Sequence, residues 1–407
     1  MRSTDILIVG AGPAGMTAAI SAARQGARVC LVEHGPEPGK KILSTGNGHC
    51  NLTNVQMGPD FYHTSDPAFV QTVLELFSRD QTLGFFRSLG IWTFEKNGFV
   101  YPRSEAAKTV REAFCLALSE AKVSLFTETN VTGLRPEKRG FQVRTDHGDF
   151  LARKLIFAPG GLAAPKTGSD GSAYIWIKSL GHRVDQMLPA LVQLHSDSTF
   201  CRETDGVRVQ AQLKLWVDGK KWESQTGELQ LVSYGLSGFP IFQFSSPAIR
   251  LFEEGKQIRI TADFLPWLGE DEWKTWWQTA ALAFPQRTVA GLLSGLVPPK
   301  VAAAAVTAAG LSNSVTAARI GKEEENLLLN ALKRQEFRMT GYNSFDRAQT
   351  TSGGVPLSEV SPQTMESKIC PGLYLAGECL NADGRCGGYN LQWAFSTGYL
   401  AGQAAAR

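Results

Sequence analysis

Apolar residues first gather in one unbroken run, Ile6 to Val9, which is cut by Gly10, Gly12 and Gly15. A continuous apolar run of strand length ended by glycine predicts a strand buried on both faces. Pro13 to Gln25 then predicts an alanine-rich helix closed by Gly26, slim enough to pack tightly on a sheet. Ala27 to Val32 predicts a second strand, and it ends on Glu33. The polar stretch Gly39 to Asn51 is too long and too rich in Gly and Asn for a simple connector, and such loops are usually functional. A helical stretch from about 67 to 89, the segment Gly98–Pro102 and a helix over about 105–120 follow.

From Val123 the period becomes two. Val123–Thr127, Val131–Leu134, Gly140–Thr145 and Phe150–Arg153 predict a meander, and Lys154–Ala158 a further strand stopped by Pro159, Gly160 and Gly161. Residues 190–263 alternate in short segments (Val207–Val217, Glu228–Val232, Gln257–Ala262), which predicts a β-rich insertion. Helical spacing returns after Pro266. Trp273, Trp276, Trp277, Ala280, Leu282 and Phe284 are expected to form one buried stripe, with further helices over Val301–Ala309 and Glu323–Phe337. Near 345 strands and glycines resume, through Pro371–Glu378 to a helix opened by Gly387–Asn390.

At 407 residues the chain exceeds one ordinary core. The expected organisation is α/β: a discontinuous nucleotide-binding domain (1–189 and 345–407), a β-rich insertion (190–265) and a helical cap (266–344). The two insertions are expected to close over the site.

The opening strand, glycine turn, helix and acid-ended strand are the unit that lays a pyrophosphate on a helix N-terminus, with the carboxylate of Glu33 on a ribose. Its position at the start of the chain, the late meander and the strand ending in Gly377-Glu378 favour FAD over NAD. The candidate cofactor residues fall on five segments. Gly10, Gly12, Pro13, Ala14 and Gly15 form the turn, and Glu33 and His34 follow the second strand. Lys41, Ser44, Asn47, Cys50 and Asn51 lie in the polar loop, and Val131, Ala158, Gly160 and Gly161 on the meander and the strand after it. Gly377, Glu378, Gly388, Asn390 and Leu391 stand near the C-terminus.

Composition narrows the class. Hydrophobic content of 43% with 19% charged residues is globular, and a net charge of +3 without a long basic run gives nucleic acid little hold. The seven cysteines have no CxxC spacing, which suits free thiols in a cytoplasmic protein and argues against a zinc site or redox disulfide. No metal site is expected, and His182 and His195 read as structural. No apolar run approaches the ~20 residues of a membrane span. No second dinucleotide turn follows the meander, so NAD(P)H, if used, docks transiently on the open flavin face, or electrons come from another donor. Oligomeric state is not legible.

Several motifs resemble the YhiN/BaiN-like family of FAD-dependent oxidoreductases, also called aminoacetone-oxidase-type flavoproteins. They are Lys41–Asn54, Gly98–Ser104, Pro165–Gly171 with Leu180-Gly-His182, Gly227-Glu228, Gly235–Pro240, Thr350–Val355, Met365–Lys368 and Asp383–Ala394. The resemblance implies non-covalent FAD in a two-dinucleotide-type Rossmann-like domain with a β-barrel-like insertion and a small helical domain. His49 stands where the family usually has Arg, and Asn381-Ala382 replaces a more acidic stretch. The Thr351–Val355 element is also similar to fumarate-reductase and ketosteroid-dehydrogenase flavoproteins. Together these imply hydride transfer between flavin N5 and an activated C=C of a small molecule. The alternatives are an amine or aminoketone oxidase using dioxygen and, further off, a tRNA-modifying flavoprotein. Tyr389 is the first candidate for the catalytic proton donor and His49 the second, with Tyr101 and Arg347 behind them.

Overall fold

The computed structural model describes residues 1–407. The chain divides into two units, one of Met1–Ala190 with Ala348–Arg407 and one of Leu191–Arg347.

In the first unit, β1 (Arg2–Val9), α1 (Pro13–Ala23) and β2 (Val29–Val32) open the chain. Next come β3 (Thr53–Asn54), α2 (Pro67–Leu76), α3 (Arg79–Ser88), β4 (Thr93–Lys96), β5 (Phe99–Pro102) and α4 (Ala107–Glu120). The meander is β6 (Ser124–Phe126), β7 (Val131–Glu137), β8 (Gly140–Thr145) and β9 (Phe150–Phe157). The main sheet has seven strands in the order β6-β2-β1-β9-β8-β7, with Leu373–Leu375 also paired to β9. β9 serves two partners: Phe150–Ala152 runs antiparallel to β8, and Leu155–Phe157 parallel to Leu373–Leu375.

Register decides where the site falls. Val32, Val9, Phe157 and Leu375 stand in one row across parallel strands. The next residue of each is therefore Glu33, Gly10, Ala158 or Ala376, delivered together at the carboxyl edge, where open α/β sheets gather ligands.

One face of this sheet carries α1, buried from Ala14 to Ala22. The C-terminal helix (Tyr389–Ala405) lies along α1 because Gly398 and Gly402 have no side chains: a Cβ there would overlap the Ala14 or Ala18 carbonyl. Ser21 Oγ donates to the Tyr399 carbonyl at 3.0 Å.

The stretch expected as one helix over 67–89 is two. Ser78 caps α3 and Gln81 reaches back to its N–H, a reciprocal capping box that starts a new helix.

The second unit is built on a seven-stranded antiparallel sheet. Its order is Gln335–Arg338, Ile258–Asp263, Arg208–Val217, Lys220–Val232, Gly235–Gly238, Leu194–His195, Gly341–Tyr342. Three expectations change here. Phe239–Glu253 is a helix inside the stretch read as β, with Pro240 in its first turn and Ile241, Phe244, Ala248 and Ile249 on its buried side. The helix expected to run to Phe337 stops at Lys333, and Gln335–Arg338 pairs into the sheet. Of the tryptophan stripe only Trp273 and Trp277 are buried, while Leu282 and Phe284 are exposed. No helix is long and apolar enough to cross a membrane.

Candidate functional site

The glycine turn shows why each of its glycines is there. Gly10 has φ 97°, and a Cβ on it would run into the Ala158 carbonyl. A Cβ on Gly15 would overlap the Gly10 carbonyl. These two are fixed by the chain's own packing. Gly12 differs: its φ of −75° suits any residue, and its Cβ would meet nothing. The space it leaves lies at the N-terminus of α1, which no side chain caps. An uncapped N-terminus beside an open cradle fits a pyrophosphate, whose charge the helix end attracts.

Glu33 closes this turn from the neighbouring strand. One carboxylate oxygen accepts from Ala11 N–H and the other from Gly35 N–H, both at 2.8 Å. Each oxygen keeps a lone pair for a ribose hydroxyl. His34 stands beside Gly168, its Nδ1 3.9 Å from Glu33. Val131 is brought to the same side, because the preceding segment hydrogen-bonds back to Glu33 and Gly35.

Across the sheet edge Glu378 pairs with Lys41 Nζ at 2.6 Å, each side chain under a fifth exposed. The second Glu378 oxygen accepts from Thr351 N–H at 3.0 Å, and Thr351 Oγ1 accepts from Leu162 and Ala163 N–H at 2.8 and 3.0 Å. Lys41 thus meets a carboxylate, and Thr351 ties Glu378 to the chain beyond Gly161. Thr351 lay inside a motif noted above, but nothing in its spacing marked it as the link.

The polar loop and the entrance of the C-terminal helix meet. Asn54 Nδ2 donates to the Gly387 carbonyl at 3.0 Å, and a Cβ on Gly388 would run into the Thr53 backbone and Asn51 Oδ1. Asn51 is buried, and its Oδ1 has no hydrogen-bond partner within the protein. A buried acceptor left open beside an uncapped seventeen-residue helix is what a ligand carrying N–H or O–H groups would complete. Together with the turn, this fits FAD.

Other loop candidates are placed less directly. Ser44 Oγ donates to the Lys41 carbonyl, and Asn47 is exposed in the left-handed region. Cys50 is fully buried, its thiol pushed up to about 12 by that burial, so only its backbone faces the loop. Asn390 is engaged at both ends of its amide with Gly384, at 2.8 and 2.7 Å, which shapes the turn before the helix. Leu391 is half-buried against the core. Gly160 packs on Ser169.

Tyr389 stacks on Phe61 with ring centroids 4.8 Å apart, and its carbonyl accepts from the Tyr62 hydroxyl at 2.9 Å. Burial pushes its own hydroxyl up to about 12, so it remains protonated at any working pH. His49 is exposed, and its Nδ1 lies 2.8 Å from the Glu105 carbonyl. A carbonyl can only accept, so Nδ1 carries the proton in that contact. Arg347 is the last residue of the second unit.

Two groups of residues escaped the sequence reading. Gln392 is fully buried, accepting from Thr53 Oγ1 at 2.6 Å and donating to Thr82 Oγ1 at 2.7 Å and Ser396 Oγ at 2.9 Å. It joins the C-terminal helix to β3 and α3. The second group is aromatic: Phe94 and Phe99 share one face of the β4–β5 hairpin with the candidate Tyr101, with Phe99 against Gly387 and Tyr101 beside Gly46. Burial also raises the Tyr101 hydroxyl.

His182 is structural. It bridges Glu359 and Ser367 Oγ, both at 2.8 Å, inside the core. All seven cysteines are free thiols.

The family model described as "HI0933-like protein Rossmann domain" matches residues 4–404. The 3-dehydro-bile acid delta(4,6)-reductase of Clostridium scindens is 39% identical over 98% of both chains. The ribosomal RNA dihydrouridine synthase of Escherichia coli is 26% identical over 99% of this chain and 98% of its own. In three dimensions, the 3-ketosteroid delta1-dehydrogenase of Sterolibacterium denitrificans covers 100% of both chains at 14% identity with a TM-score of 0.54, a likeness of fold.

Proposed function

The chain belongs to the HI0933-like family of FAD-dependent oxidoreductases, and from that premise we propose that it reduces a C=C conjugated to a carbonyl in a small molecule. The observation that carries this is the full-length 39% identity with a reductase named for such a bond.

When bound, FAD would supply the hydride for the carbon β to the carbonyl. The protein's part is binding, orientation and a proton. The α1 N-terminus and Gly12 take the pyrophosphate, and Glu33 takes the adenosine ribose. Glu378, held by Lys41 and Thr351, takes hydroxyls near the other end of the dinucleotide. The uncapped N-terminus of the C-terminal helix would favour negative charge gathering on the flavin on reduction. Asn51 Oδ1, buried without a partner in the protein, would accept from a flavin N–H. Tyr389 would deliver the proton to the carbon α to the carbonyl, because its hydroxyl, pushed up to about 12 by burial, stays protonated, whereas the Nδ1–H of His49 is taken up by the Glu105 carbonyl. NAD(P)H is the donor in this reading, and seven free thiols suit the reducing cytoplasm.

A second reading keeps the bond and changes the carrier. A uracil ring also holds a C=C conjugated to a carbonyl, and full-length relatives of 26–27% identity are named for making dihydrouridine in ribosomal RNA. A net charge of +3 on 407 residues tells against an extended phosphate-binding surface.

One experiment separates these. The holoprotein is reduced anaerobically with NADH, NADPH or a panel of amines and aminoketones, and then re-oxidised by a panel of enones, by ribosomal RNA lacking dihydrouridine, or by dioxygen. Re-oxidation by enones supports the proposal. Re-oxidation by RNA with no response to enones sinks it in favour of the second reading. Flavin reduction by amines or aminoketones, with peroxide released in air, points to an oxidase.

A further inference from the structure

The helix Glu270–Ala283 buries one side of itself, through Trp273 and Trp277. On a different side Glu272, Trp276, Thr279 and Ala283 recur at steps of four, three and four, which makes one stripe along a helix. With Ala280 and Phe284 they line an open groove of about 650 Å³. Trp276 and Phe284 give it rings, and Thr279, Ala280 and Ala283 give it small side chains. Beside it Leu282 is 85% exposed and Phe284 43%. A contiguous apolar surface of this kind marks a place that something covers.

Charge divides the same surface. Glu270, Asp271 and Glu272 open the helix. Glu270 pairs with Arg334, and Glu272 accepts from the Gly269 N–H. Asp271 has Lys274 at 3.2 Å, an exposed pair on one helix that holds neither side chain firmly. Past the other end stands Arg287, exposed and without a carboxylate, its guanidinium 3.9 Å over the Phe284 ring. The two ends are spaced evenly about the middle. Asp271 and Arg287 each lie eight positions from Thr279, and Trp276 and Leu282 each lie three.

We infer that this groove docks a second copy of the same chain, the helix Glu270–Ala283 lying antiparallel on its counterpart across a two-fold axis at Thr279. A two-fold contact needs a patch that complements itself. Here the acidic end of each copy meets the Arg287 end of the other, and the rings of Trp276 meet the small side chains around Ala283. A small residue at the crossing lets the helix axes approach to about 8–10 Å. A lipid surface would want basic residues beside the apolar stripe, and this one opens with three carboxylates. The contact is one helix face about 21 Å long, less than a permanent dimer uses, so the pairing depends on concentration.

The test is sedimentation equilibrium of the holoprotein at about 1–200 µM. The mass should rise from that of one chain toward that of two. Thr279→Arg sets like charges on both sides of the axis and should weaken pairing at least tenfold, with FAD content and circular dichroism unchanged. Leu282→Ser should weaken it about threefold. Asp271→Arg and Arg287→Glu should each weaken it about tenfold alone. Mixed one to one, those two variants should pair within about threefold of the parent, because unlike copies form one native and one reversed ion pair. A parent that stays monomeric overturns the inference. So does a dimer that Thr279→Arg leaves intact, or a mixture that pairs no better than either variant alone. A monomeric parent that floats with phosphatidylcholine vesicles gives the face to a lipid surface instead.

Discussion

The glycine turn after β1 and the pair of loops around Gly388 both bring backbone to the same sheet edge, by opposite means. The turn is fixed by exclusion. Gly10 and Gly15 are pressed against Ala158 and each other, and only Gly12 leaves room. The loop pair is fixed by attachment: Asn54 holds Gly387, Asn390 holds Gly384, and Gln392 ties the helix below them to Thr53 and Thr82. A part held by exclusion tolerates no added atoms. A part held by polar side chains tolerates additions but not the loss of a partner.

The largest effect that would sharpen this contrast is at Gly15. Gly15→Val places side-chain atoms inside the Gly10 carbonyl and should cost more than about 4 kcal/mol, seen as loss of folded protein. Gly12→Val, three residues earlier, should change stability by less than about 1 kcal/mol while weakening FAD binding at least a hundredfold, measured by flavin retention after dialysis. If the two variants behave alike, the distinction between packed and open glycines is wrong. In the loop pair, Gln392→Leu strands the Thr53 and Thr82 hydroxyls and should destabilise by about 2–4 kcal/mol in denaturant unfolding. A near-neutral result would mean that the network is dispensable.

Tyr389→Phe removes one oxygen and no packing. It should lower turnover by about 10²-fold at unchanged FAD content, and the parent's rate should show no loss from this group up to about pH 10, because its hydroxyl sits near 12. A smaller change, below twofold, would leave the proton to Tyr101 or an ordered water.

The smallest effect concerns a third attachment. Desolvation raises the Glu359 carboxyl, but hydrogen bonds from Arg183 and His182 outweigh it and hold the group below its ordinary value. A lowered folded-state value means stability that is present above the ordinary carboxylate range and lost as pH falls through it. Glu359→Gln should therefore flatten the acid limb of the stability–pH curve, by about 1 kcal/mol at most. An unchanged acid limb would refute that assignment.

Much of the exclusion-built part was legible in the sequence, because strands ended by glycine and a carboxylate at the next strand end are local signals. The attachment-built part was only half legible. Lys41, Asn51 and Glu378 could be marked as polar groups on loops, but that Lys41 meets Glu378, more than three hundred positions on, follows from the order of strands. Gln392 lay inside a helix motif with nothing to mark it, and Phe94 was not singled out. In the second unit the helix Phe239–Glu253 was hidden by Pro240, Pro247 and neighbouring glycines, which locally signal a break. Its buried stripe, Ile241 to Ile249, carries a helical period that those signals masked.

The grip of Gly398 and Gly402 on α1 has a consequence for how the protein is made. A ribosome releases α1 early, and the helix that covers it emerges only after the entire second unit. Through that interval the alanine-lined flank of α1 has no permanent neighbour, and the strand Leu373–Leu375 is missing beside β9. The second unit, continuous in sequence, can fold as it emerges, while the first waits for its last segment. The interval before release is thus the period in which a nascent chain of this protein most needs a chaperone.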